Sequence, residues 1–124
     1  MRPAVSPRDG MIACWYSEPS SQPQWRIGIY PPEGGRPVKT FEFPPSVSID
    51  SALHWTPDGR AVAYVDNRGG AANIWSQPLD GTPARPLTNF HAAQIFSFAW
   101  SRDGRLAYSR GLQAFDVVLI SDVR

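Results

Sequence analysis

One short motif occurs three times, and its spacing limits the folds open to the chain. Ser6-Pro7-Arg8-Asp9-Gly10, Thr56-Pro57-Asp58-Gly59-Arg60 and Ser101-Arg102-Asp103-Gly104-Arg105 have their Ser/Thr positions 50 and 45 residues apart. A self-similar period of about 40–50 residues marks propellers and stacked arrays. The Asp-Gly pair is the constant part; the first motif carries one more residue between its Ser and its Gly. Glycine supplies the positive φ of a tight hairpin, while the Ser/Thr and Asp side chains accept hydrogen bonds from nearby backbone N–H groups.

The flanks of the motif repeat as well. Before two of the turns stands a strand with one bulky face: Leu53 and Trp55 in one copy, Phe96, Phe98 and Trp100 in the other. After each turn comes a short apolar run, Ile12–Trp15, Val62–Val65 and Leu106–Tyr108. These runs hardly alternate, as befits a strand buried on both faces. A third strand follows at Arg26–Tyr30, Asn73–Gln77 and Asp116–Ile120. Glu33-Gly34-Gly35 and Asp80-Gly81 then turn the chain into a polar fourth segment, Pro37–Phe41 and Ala84–Thr88. Proline within a strand pattern belongs at a sheet edge. Each unit is therefore a four-stranded antiparallel meander, the blade of a propeller.

The expected fold is all-β: an incomplete β-propeller of about three blades, near residues 4–45, 50–90 and 94–124. Val5 aligns with Trp55 and Trp100, so only Ala4 and Val5 remain of the first inner strand, and the first blade is expected to lack it. The last copy runs just past its third strand and is expected to lack the outer one. A four-blade ring at about 45 residues per blade needs ~180 residues, so 124 residues do not close a circle. The expectation is the C-terminal part of a larger propeller.

Composition agrees with this reading. Thirteen prolines, nine of them between Pro3 and Pro45, leave the first half no uninterrupted helical window. Apolar residues at 42% and aromatics at 12% are enough for a core. A formal charge of +1 without runs of one sign gives no nucleic-acid footprint. No segment approaches the roughly 18 apolar residues of a membrane-spanning helix. The first residues hold no apolar run of the kind a secretion signal needs. Cys14 is alone, so an internal disulfide is excluded.

Thr56-Pro57-Asp58-Gly59-Arg60, Val62-Ala63-Tyr64, Asn73-Ile74-Trp75, Asp80-Gly81 and Arg85-Pro86-Leu87-Thr88 together resemble the WD-repeat-like blade of TolB-type propellers. The same blade is similar to those in the propeller domain of prolyl-oligopeptidase-type enzymes. The middle copy matches along nearly its whole length, the outer two in the turn and second strand. The resemblance implies a non-enzymatic module that binds a protein or ligand, periplasmic in the TolB case. Its alternative implication is an accessory or gating propeller of a serine peptidase whose catalytic domain is absent from this chain. Cys14 replaces the Tyr found at Tyr64 and Tyr108. That change and the longer segments at Pro19–Pro23 and Pro44–Ile49 are expected to be loop variation.

The residues offer little chemistry. The nucleophile elbow Gly-x-Ser-x-Gly is absent. Cys14 with His54 or His91 would make a Cys/His dyad, but a second-strand Cys is expected to be a buried, inert hydrophobe that labels slowly. His54, on an inner strand with its side chain opposite to those of Leu53 and Trp55, is the one channel-binding candidate. Two His and one Cys lack any zinc spacing. Asn67-Arg68-Gly69-Gly70 lacks the Lys-Ser/Thr of a phosphate loop and is a hairpin connection. Of the five tryptophans, Trp25 is the one expected to be exposed. No cofactor is expected. Ser6, Asp9, Gly10, Thr56, Asp58, Gly59, Asp80, Gly81, Ser101, Asp103 and Gly104 are expected to be structural turn residues. The expected partner is a protein. An open ring should also expose Ile12, Trp15 and Tyr16 at one end and Leu106, Tyr108 and Val118 at the other. The chain is then expected to self-associate as a dimer or small ring, or to need the rest of a propeller.

Overall fold

The computed structural model describes residues 3–17, 19, 21–22 and 24–111, with the backbone of 117–121. Three antiparallel sheets follow one another along the chain. The first holds β1 (Ala4–Val5), β2 (Ile12–Ser17), β3 (Trp25–Tyr30) and β4 (Lys39–Phe41). The second holds β5 (His54–Trp55), β6 (Ala61–Asp66), β7 (Asn73–Pro78) and β8 (Arg85–Pro86), and the third holds β9 (Gln94–Trp100), β10 (Leu106–Gly111) and β11 (Val117–Ser121). Each sheet is a meander in which sequence neighbours are hydrogen-bonded neighbours.

The inner strand expected to be missing is present. Ala4 pairs with Ala13 and Val5 with Ile12, and the complete middle sheet has an inner strand no longer than this, His54 and Trp55 pairing with Ala63 and Val62. Two residues suffice because neighbouring inner strands support each other: the Trp55 indole N–H donates to the Ala4 carbonyl at 2.8 Å. The third sheet has three strands among the described residues. Asp116, the expected start of its last strand, lies outside them.

Apolar side chains collect in two layers between successive sheets. Ala13, Trp15, Ile27 and Ile29 of the first sheet meet Trp55, Val62 and Tyr64 of the second. Ala63, Val65 and Ile74 of the second meet Phe98, Leu106 and Tyr108 of the third. All six residues of β6 are buried, as its unalternating sequence requires, whereas β2 and β10 bury residues mainly on one face. Trp15, Leu106 and Tyr108, expected on uncovered end faces, are therefore core residues. They share a face with Ala13, in the first case, and with each other, in the second, and those faces point toward the middle sheet.

Local pairing accounts for two further departures. In β9 the register slips between Ser109↔Ser97 and Arg110↔Ile95, leaving Phe96 as the extra residue of a bulge. Ile95 then joins Phe98 in the core, and Phe96 is turned out, 45% exposed. The segment after Pro44 is more than loop variation. Val47 is buried beside β6, Ser48 N–H donates to the Val65 carbonyl and Asn67 N–H to the Ser46 carbonyl. Trp25 is half-buried against the first apolar layer rather than exposed.

Candidate functional site

Antiparallel meanders bring the turns β1–β2, β5–β6 and β9–β10 to the same end of their sheets, together with β3–β4 and β7–β8. The Asp-Gly turns have a shared internal wiring. In the middle copy Thr56 Oγ1 donates to Asp58 at 2.7 Å and accepts from the Ala61 N–H, while Asp58 also accepts from the Arg60 N–H. The third copy repeats this: the Ser101 hydroxyl donates to Asp103 and accepts from Arg105 N–H at 3.1 Å. In the first copy Ser6 accepts from the Arg8 N–H and Asp9 from the Met11 N–H. Gly10, Gly59, Gly104 and Gly81 all have positive φ. Asp80 accepts from both the N–H and hydroxyl of Thr82.

These bonds set the electrostatics. The Thr56 hydroxyl holds the Asp58 carboxyl below its usual range, Thr82 N–H does so for Asp80, and the Ser101 hydroxyl for Asp103. The turn carboxylates are thus anions occupied with their own loops.

A cleft of about 700 Å³ opens at this end of the molecule, within the size range of ligand pockets. Leu79, Leu87 and Trp100 line it along with Ala61 and Ser76, and Arg8, Arg60 and Arg85 stand on its exposed rim. None of the three arginines forms a salt bridge with a described carboxylate. Lys39 is held by the Leu79 carbonyl. No motif marks this cleft in the sequence, because its residues are brought together only by the stacking of blades; the shared end of the turns is the one available signal.

The other candidates fall elsewhere. The His54 ring, half-buried, lies edge-on to Phe98, 4.7 Å between centroids, in the seam between second and third sheets. Burial there lowers its pKa. Cys14 is half-exposed rather than buried, because its side of β2 faces away from the middle sheet. Burial raises the pKa of its thiol, partly countered by a hydrogen bond with Tyr30. Asn67–Gly70 makes a tight connection between β6 and β7, with Gly69 and Gly70 at positive φ. Asp66, at its base, is fully buried and gripped by the Arg68 guanidinium at 2.6 and 2.9 Å, which in turn lies 3.8 Å over the Trp75 ring. Among the described residues no three His, Cys, Asp or Glu side chains gather as metal ligands would.

Four-stranded meanders stacked face to face through apolar layers, with their short inner strands adjoining, are blades: the chain is a segment of a β-propeller. Known structures agree. TolB from Acinetobacter baumannii superposes over 98% of this chain and 29% of its own, with a TM-score of 0.68 and 22% identity. The β-propeller domain of the Trilobed protease from Pyrococcus furiosus, whose structure has an open velcro topology, superposes over 97% of this chain and 36% of its own, with a TM-score of 0.62 and 15% identity. In sequence, Tricorn protease homolog 1 of Streptomyces coelicolor is 35% identical over 51 residues, 41% of this chain and 5% of that protein. The chain thus spans only a small part of the proteins it matches. No protein-family model matches it.

Proposed function

We propose that the chain is a non-catalytic binding module, and that the cleft at the turn end holds an acidic peptide segment of a protein partner. The supporting observation is the cleft's division of labour. Leu79, Leu87 and Trp100 give it an apolar lining, Arg8, Arg60 and Arg85 stand at its exposed rim in no salt bridge with a described carboxylate, and the aspartates that also line it, Asp9, Asp58 and Asp80, accept hydrogen bonds from their own turns. Arginine binds carboxylates in a two-pronged geometry, and an apolar floor anchors the peptide between such contacts.

Titration of intrinsic tryptophan fluorescence with short peptides tests this. Peptides that combine Asp/Glu with one aromatic or aliphatic residue should perturb the emission and bind more weakly as salt rises. Arg60→Ala combined with Arg85→Ala should weaken binding about tenfold or more. Equal affinity for basic and acidic peptides would refute the assignment.

A second reading has its own support. The 35% identity with Tricorn protease homolog 1 favours an accessory propeller of a peptidase, in which the same cleft would meet peptide substrates. A coding sequence joined to this one and carrying a Gly-x-Ser-x-Gly elbow would favour that reading over the first.

A further inference from the structure

Trp55 and Trp100 hold the same place in successive blades, each closing its inner strand just before an Asp-Gly turn. Register makes the equivalence explicit: Trp55 pairs with Val62 as Trp100 does with Leu106, and His54 pairs with Ala63 as Ala4 does with Ala13. The buried Trp55 indole reaches back one blade, where its N–H donates to the Ala4 carbonyl at 2.8 Å. The same geometry would give the Trp100 N–H to the His54 carbonyl. That bond is not made. The Trp100 indole nitrogen is shielded from water and has no acceptor among the described residues, although its ring packs on the second apolar layer and edge-on to Phe98. Trp75 and Arg110 also hold a buried nitrogen without an acceptor, but both belong to cation–π stacks outside the cleft lining. Trp100 lines the cleft.

A donor cut off from water and left unbonded weakens the fold that holds it, and an acceptor supplied by a ligand recovers that loss. The Trp100 side chain is only half-buried, and no hydrogen bond fixes the tilt of its ring. Turning the indole toward the cleft therefore breaks no hydrogen bond, whereas the same motion at Trp55 would break one. The surroundings also select the kind of acceptor. Arg60 and Arg85, which attract carboxylates, stand on the exposed rim, while Trp100 shares the apolar lining with Leu79 and Leu87. A neutral acceptor suits that lining, and the chain's own version of the bond, from Trp55 to Ala4, ends on a main-chain carbonyl.

Building on the peptide reading of the cleft, we propose that Trp100 is its specificity-determining donor. On binding, the indole N–H turns to a main-chain carbonyl of the peptide, while Arg60 and Arg85 take the peptide's carboxylates. The cleft then selects two features at once, acidic side chains at the rim and an unpaired carbonyl at the level of the lining. Within a helix each carbonyl is already taken by the N–H four residues on. The segment bound is therefore extended where it crosses Trp100.

Proton–nitrogen NMR spectra of the indole groups, recorded on the full chain during titration with an end-capped peptide of Asp, Glu and Leu, test this directly. The Trp100 signal, assigned by its loss in Trp100→Phe, should move downfield, and the Trp55 signal should stay. Trp100→Phe keeps an aromatic ring without the donor and should weaken binding about three- to tenfold. Its urea midpoint should fall less than that of Trp55→Phe, which loses a hydrogen bond within the fold. When Asn and Gln replace the peptide's acids, binding should weaken at the rim, yet Trp100→Phe should cost the same factor again. Disappearance of that factor would put the acceptor on a carboxylate and overturn the proposal. Peptide binding with an unmoved Trp100 signal, or with equal affinity for Trp100→Phe, would also overturn it and leave the acidic-peptide reading standing. Absence of binding by every such peptide would remove both.

Discussion

At Gly59 the backbone has φ +69°, and a Cβ built there would lie 2.6 Å from that of Arg8 and 2.9 Å from the Ser6 hydroxyl oxygen. The second Asp-Gly turn is pressed against the first, and Ser6 is only 4% exposed as a result. Gly104 has a similar φ of +82°, yet nothing lies within 4 Å of its built Cβ. Backbone strain alone makes each Gly→Ala change unfavourable by about 1 kcal/mol. Overpacking adds roughly 1–3 kcal/mol where the space is filled. Gly59→Ala should therefore lower the urea-unfolding free energy by about 2 kcal/mol or more, and Gly104→Ala by only about 1 kcal/mol. Equal losses would mean that the turns do not dock. The need for glycine at both positions is visible in the motif. The unequal surroundings are not, because they depend on which blade precedes which.

Among the elements, β9 shows where a period-two pattern misleads. Phe96, Phe98 and Trp100 alternate in sequence as if they shared one buried face, but the bulge at Phe96 shifts the pleat by one residue. Ile95 at 8% and Phe98 at 6% exposure then face the second sheet, while Phe96 faces solvent. Phe98→Ala should cost about 3–5 kcal/mol, the usual loss for a buried phenylalanine. Phe96→Ala should cost less than about 1 kcal/mol; denaturant midpoints of the two variants decide it. Elsewhere local pattern was a good guide. The unalternating Ala61–Asp66 run is buried on both faces, and Pro86 lies in an edge strand. What local pattern could not show depends on partners distant in sequence. Trp15 looks like an end residue until its indole is seen donating to the Ser51 carbonyl at 3.1 Å. The cleft is the extreme case, since Arg8, Arg60, Leu87 and Trp100 belong to four separate strand connections or strands across three blades.

For the molecule as a whole, covering is unequal: the second sheet is sandwiched, and each outer sheet is covered on one side among the described residues. Stacked repeats behave as nearest-neighbour systems, each unit stabilised by the interfaces it shares. The middle blade shares two and the others one. Amide protons of β6 should therefore exchange with deuterium most slowly, and those of β2 and β10 faster, because the outer blades can open without the middle one. A uniform exchange rate across the three second strands would show instead a single cooperative unit. Six consecutive buried residues in β6 thus act as a clock with its slowest hand at the centre of the chain.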